Sequence, residues 1–120
     1  MVIADRERGV VLSLRDIPPY EGAWHIPGGT VLFGEPLVQA VRRVARDEIG
    51  VEVEPGELLG YIEYPSHYEN GLDSPVGLAF RCQTGGEALA GGCRWFTTPP
   101  SGLYAEQREF LLARGLLHPR

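Results

Sequence analysis

Apolar and polar positions alternate in short bursts along most of this chain, and only twice does the spacing lengthen to that of a helix. Residues 2–4 form a brief apolar start, residues 10–14 alternate as a strand, and the charged residues 5–9 between them suit a hairpin turn. Residues 16–22 read as a loop punctuated by Pro18-Pro19. Trp24 and Ile26 then alternate around His25 in a short strand that stops at Pro27-Gly28-Gly29. From Pro36 to Ile49 the apolar residues Leu37, Ala40, Val41, Val44, Ala45 and Ile49 recur at helical spacing. Pro36 suits the first turn of that helix, where no donor is lost, and Gly50 suits its C-terminal cap. Residues 58–64 and 76–82 read as strands, joined by a polar and aromatic link suited to facing a substrate. Residues 95–97 make a last short strand and residues 105–117 a closing helix.

Strands interleaved with two helices predict an α/β domain, a mixed sheet with helices on its faces. The 120 residues are enough for one core and too few for two, so residues 1–120 are expected to form a single domain. The sixteen glycines and ten prolines add sharp turns to that picture. A net charge of -5 argues against nucleic acid or an anionic membrane as partner, since either needs a basic face. A small polyanion stays admissible, because a bound cation can invert the local field. Cys82 and Cys93 form no CxxC pair and have no His nearby, so no zinc or redox motif is readable. Without a secretory segment or a long apolar run, a cytoplasmic location is expected.

The chemistry concentrates between Gly28 and Val51. Asp47 and Glu48 both end the first helix, where the macrodipole disfavours acids. A cation would compensate them. Mg²⁺ takes one or two carboxylates, keeps several waters and completes its shell with substrate phosphate. Asp47 and Glu48 are therefore the expected ligands for Mg²⁺ or Mn²⁺, and the bland alternative is a solvated helix end with Arg43 and Arg46 as ion-pair partners.

The same stretch resembles the signature of the Nudix hydrolases. Gly29, Glu35, Arg43, Glu48, Gly50 and Val51 stand where that signature asks, and Asp47 conservatively replaces one acid. Val44 replaces a glutamate, and Ala45 stands in for an aliphatic. The resemblance implies an α/β/α sandwich with the mixed sheet between helices. It implies a metal-dependent hydrolase of a nucleoside diphosphate linked to another moiety, with the Gly28 carbonyl as a further metal ligand. There is also likeness to the GDP-mannose mannosyl hydrolase branch, which lacks the same glutamate, and this points to a nucleotide sugar. The likeness thins at Thr30, where that branch has an arginine, and at residues 89–92, where it has a glutamine ligand and a histidine base. Against this family the first strand is short, which leaves a sheet edge open to pairing in a homodimer.

For general base the first choice is His67, a loop imidazole titrating near neutrality, with Glu63, Glu69 and Asp73 behind it. Arg15, at a strand end before the glycine turn, is the expected phosphate contact. Tyr20 and Tyr68, with Tyr64 and Trp24 beside them, can stack on a base or sugar, although Trp24 suits the core better. Arg43 is expected to orient Asp47 and the adjoining turn, while His25 is expected to be exposed and idle. The rival is a Nudix-fold nucleotide-binding module impaired in catalysis by Val44; cleansing of oxidised nucleoside triphosphates is a weaker third.

Overall fold

In the computed structural model, which describes residues 1–18, 20–66, 75–86 and 88–119, six strands make one mixed sheet. They are β1 (Val2–Asp5), β2 (Gly9–Leu14), β3 (Trp24–His25), β4 (Val53–Glu63), β5 (Val76–Thr84) and β6 (Cys93–Phe96). Helix α1 (Leu37–Val44) lies between β3 and β4, and α2 (Ala105–Ala113) closes the chain. β1 runs parallel to β5 and antiparallel to β2, and β5 is antiparallel to β4. Val10 pairs with both Ala4 and Phe96, so β6 must run along the edge of β2 opposite β1.

Burial on both faces explains the near-continuous apolar run of the central strands. Val2, Val10 and Leu12 point to one face, where Phe110 and Leu111 of α2 and Leu117 beyond it cover them. Ile3 and Val11 point to the other, beneath Val44 of α1 and the following Ala45 and Ile49. This is the expected α/β/α sandwich. Each such fully buried aliphatic contributes about 1.5–3 kcal/mol relative to exposure.

Several boundaries differ from the sequence reading. β4 starts at Val53, not at residue 58, because register shifts between Pro55 and Leu58 and again before Gly60 absorb a stretch that reads as a turn. The closing helix stops at Ala113, and Gly115 turns the chain with φ 68°. Pro36 caps α1 from just outside, accepting from the Ala40 N–H at 3.0 Å. The first strand also lacks the open edge expected for pairing in a homodimer. β1 is paired on both edges despite its shortness; β3, β4 and β6 are the outer strands of the described sheet.

Candidate active site

β3 delivers the chain into the turn at Gly28-Gly29, which packs directly on α1. A β-carbon at Gly29 would stand 2.9 Å from a Val44 methyl, so a side chain here would force the turn and the helix apart. Val44 is 6% exposed and belongs to the core under α1. The position where the resemblance expects a glutamate is thus an apolar wall.

Residues 30–35 are held from the helix. Arg43 donates to Glu35 Oε2 from Nε at 2.8 Å and to Oε1 from a terminal nitrogen at 3.0 Å. The same terminal nitrogen reaches the Thr30 carbonyl at 2.8 Å. Glu35 in turn accepts the Leu32 N–H at 3.1 Å. The Arg43 hydrogen bonds hold the Glu35 carboxyl below its ordinary value, and the pairing holds the guanidinium above its own. Arg43 therefore fixes the turn, as expected, and its 3.8 Å approach to Asp47 is the looser contact.

The last turn of the helix widens at residues Ala45–Ile49, where the Gly50 N–H reaches back five residues to the Ala45 carbonyl at 3.0 Å. Such π turns occur often at functional sites. Gly50 ends the turn in the left-handed region at φ 75°, as its cap role requires. Asp47 and Glu48 emerge from this turn into solvent, with the Asp47 side chain 63% exposed. Among the described residues no three acidic, histidine or cysteine side chains converge on one point. Two exposed carboxylates nevertheless fit a cation that keeps most of its water and takes the rest of its shell from phosphate.

Beside the glycine turn lies a cavity of about 420 Å³. Gly28, Gly29, Val44, Ile62, Leu78 and Phe80 are among its walls. Of the residues singled out in the sequence for the site, the cavity gathers Gly28, Gly29, Val44 and Tyr64, while Asp47 and Glu48 do not line it. Arg15 and Tyr20 do not line it either. They lie elsewhere: Tyr20 packs edge-on to Tyr104 at 5.6 Å, and Arg15 donates to the Pro18 carbonyl at 3.1 Å. The Tyr104 hydroxyl is pushed up chiefly by burial, against the opposing charge of Arg15. His25 is not idle, since it stacks on Tyr104 at 5.7 Å and bonds the Ile26 carbonyl. Trp24 is half-buried against Phe96 at 4.9 Å, in agreement with a core role. His67 and Tyr68, like Glu69 and Asp73, lie outside the described residues.

Gln107 was missed in the sequence. It is 5% exposed, accepts the Ile26 N–H at 2.6 Å and donates to the Tyr64 hydroxyl at 3.0 Å. In a helix a glutamine reads as surface, and no local signal marks this one. Its neighbour Glu106 accepts both the N–H and the hydroxyl of Ser66, at 3.0 and 2.8 Å, and so ties the end of β4 to α2.

Three comparisons bear on this arrangement. The model of the NUDIX domain matches residues 1–113. A "low-salt glycan biosynthesis protein Agl8" of Haloferax volcanii is 40% identical over 80 residues, 65% of this chain and 51% of that protein. A "MutT-like protein" of Streptomyces ambofaciens is 35% identical over 81 residues, 68% of this chain and 47% of that protein. These matches span about half the length of the two curated relatives. Among solved structures, a MutT NUDIX hydrolase from Burkholderia pseudomallei superposes with a TM-score of 0.72 at 27% identity, over 91% of this chain and 90% of that one. A NUDIX hydrolase from Nitrosomonas europaea gives a TM-score of 0.75 at 24% identity, over 98% and 73%, a likeness of fold. With the glycine turn, the arginine-held glutamate and the acid-bearing helix end all inside the matched segment, the chain belongs to the NUDIX domain family.

Proposed function

We propose that this domain is a metal-dependent hydrolase of a nucleoside diphosphate linked to another moiety, with nucleotide sugars as the first class to test. One observation carries the reading: a rigid glycine turn, locked by Arg43 and Glu35, lies on the helix that ends in the exposed acids Asp47 and Glu48. Asp47, Glu48 and the Gly28 carbonyl would hold Mg²⁺ or Mn²⁺, which when bound supplies positive charge to the diphosphate. Arg43 keeps the turn in place while the diphosphate lies along it. His67 is proposed to accept the proton of the attacking water, a role worth ~10²–10⁴-fold in rate. Arg15 is proposed to offset leaving-group charge, and Tyr68 to stack on the base or sugar. The glycan-biosynthesis description of the Haloferax relative supports placing nucleotide sugars first. The free thiols Cys82 and Cys93 suit a reducing compartment, and the cytoplasm is the proposed location. No helix among the described residues is long and apolar enough to cross a membrane.

A second reading has its own observation. Val44 is core, so the helix offers two acids and not three, as a nucleotide-binding module with impaired catalysis would. Product release decides between the two. Nucleotide sugars, ADP-ribose, dinucleoside polyphosphates and nucleoside triphosphates would be offered with Mg²⁺ or Mn²⁺, and again with chelator. Chelator-sensitive turnover of one class supports the hydrolase, and the products tell attack at phosphorus from attack at the sugar carbon. Silence across the panel, with a ligand-induced rise in melting temperature, supports the binding module.

A further inference from the structure

The widened last turn of the helix directs its donors to a single carbonyl. In a regular helix each carbonyl accepts from the N–H four residues on, so Arg46 and Asp47 would take the N–H groups of Gly50 and Val51. Here both of those N–H groups turn back to the Ala45 carbonyl, at 3.0 and 3.4 Å. The donors that an α-helix would bring to Glu48 and Ile49 belong to Glu52 and Val53, and Val53 already opens β4. The helix thus does not close the turn that carries the acids, and such ends need partners from elsewhere. Carboxylates that must meet one cation have to be held in place by the groups around them.

What closes the turn is the approach to β6. The Ala90 N–H donates to the Ile49 carbonyl at 2.8 Å, and the Cys93 thiol reaches the Glu48 carbonyl at 3.9 Å. A β-carbon at Gly50 would stand 3.8 Å from that of Ala90, so the segment lies directly against the turn. Residues 89–93 are themselves anchored. The Cys93 N–H donates to the Ala90 carbonyl at 3.2 Å, and the Leu14 N–H donates to the Gly92 carbonyl at 2.8 Å. Cys93 also pairs with Ser13 of β2, and Leu89 packs on the core beneath α1. The acid-bearing turn is tied in this way to the middle of the sheet.

We propose that residues 89–93 are a brace that positions Asp47 and Glu48, with the Ala90 N–H as its main positioning group and the Cys93 thiol as its second. The inference rests on the reading of this helix end as the metal site and deepens it. The two halves of that site are then held by separate devices. Arg43 and Glu35 fix the glycine turn with Gly28, and the brace fixes the acids against β2. Ala90 acts through the Ile49 carbonyl and the backbone that follows Asp47 and Glu48. A stretch whose side chains at 89–92 are apolar or absent serves the site through its backbone.

The test is Mn²⁺ binding to the wild type, Ala90→Pro and Glu48→Gln, read from the spin-resonance signal of the free ion. Proline at 90 removes the N–H donor. Ala90→Pro should weaken Mn²⁺ binding about five- to tenfold, the scale of one net hydrogen bond. A lower melting temperature in chelator with unchanged Mn²⁺ affinity would make Ala90 merely structural and overturns the proposal. Coupling is reciprocal, so bound metal must strengthen the Ala90 bond by the same factor. Hydrogen exchange of the Ala90 N–H in the wild type should therefore slow about five- to tenfold on saturation with Mg²⁺, and should not slow in Glu48→Gln. An exchange rate indifferent to Mg²⁺ overturns the proposal, and this arm decides alone should Ala90→Pro not fold. Failure of the metal reading looks different. Glu48→Gln would then bind Mn²⁺ as tightly as the wild type, or the wild type would bind none, and the brace would fall with it. Binding that is lost in Glu48→Gln but unchanged in Ala90→Pro keeps the metal site and removes the brace alone.

Discussion

Glutamate at position 44 restores the acid that the signature helix lacks, and the structure sets its cost. Val44 is 6% exposed, sits among Ala45, Ile49 and Val51, and has a methyl beside the Gly29 backbone. Giving up that burial forfeits about 1.5–3 kcal/mol. A carboxylate at this place is also partly desolvated, although the cavity that Val44 lines gives it somewhere to extend. The expected loss at pH 8 is about 2–3 kcal/mol, or a fall in melting temperature of roughly 10 °C for a domain of this size. Burial raises the pKa of the new carboxyl above its unfolded value. Stability is then fully present below the unfolded value and is lost as pH rises through the raised one. The deficit should therefore shrink between pH 8 and pH 5. Thermal melts of V44E and the wild type across that range, with parallel hydrolysis assays, make the test. A V44E protein as stable as the wild type at pH 8 would refute the placement of Val44 in the core. If the chain already has a working base elsewhere, the rate should change less than tenfold. A gain of ~10² or more, the usual worth of a general base, would instead say that only the base had been lost.

Four further outcomes are expected. Gly29→Ala should lose about 1–2 kcal/mol through the 2.9 Å contact with Val44, and a second change, Val44→Ala, should return most of it; a strictly additive double-mutant cycle would deny the contact. Gly9→Ala should unfold the domain at ordinary temperature, because its β-carbon would fall 1.8 Å from the Phe96 carbonyl oxygen at a φ of +91°; a well-folded product by circular dichroism would contradict the β2–β6 pairing. Burial pushes the Cys82 thiol above its ordinary 9.0 and the Tyr64 hydroxyl above its ordinary 10.0, so stability should be full below pH 9 and fall as pH rises through the raised values. Denaturant melts of the wild type and Cys82→Ala from pH 8 to 10.5 check this, and an equal pH dependence in both would remove the Cys82 contribution. His67→Ala should lower kcat ~10²–10⁴-fold with KM little changed, and an unaltered kcat would take the base assignment away.

The glycine turn, the helix with its Gly50 cap, and the strands were legible because each is written in local chemistry: a special φ, an apolar period, an alternation. Four features were not. The π turn of Ala45–Ile49 keeps the same apolar residues inward as an α-helical turn would, so the pattern does not register the widening. The start of β4 reads as a turn at Pro55-Gly56, and only pairing with β5 across register shifts keeps it in the sheet. Gln107 joins Ile26 and Tyr64, 81 and 43 residues away, and its role exists only once α2 has docked. The same holds for the contact of Gly29 with Val44. The motif shows which residues belong to the site, while the packing shows that one of them has become wall.

The most direct test of the account is the Mg²⁺ dependence of turnover in Glu48→Gln, measured on the substrate class that the wild type cleaves. Glu48 is exposed, so the variant should fold and melt like the wild type. The account predicts that its metal-dependent turnover is abolished although the fold stays intact. Undiminished Mg²⁺-dependent turnover in Glu48→Gln would contradict the assignment of the metal to the end of this helix.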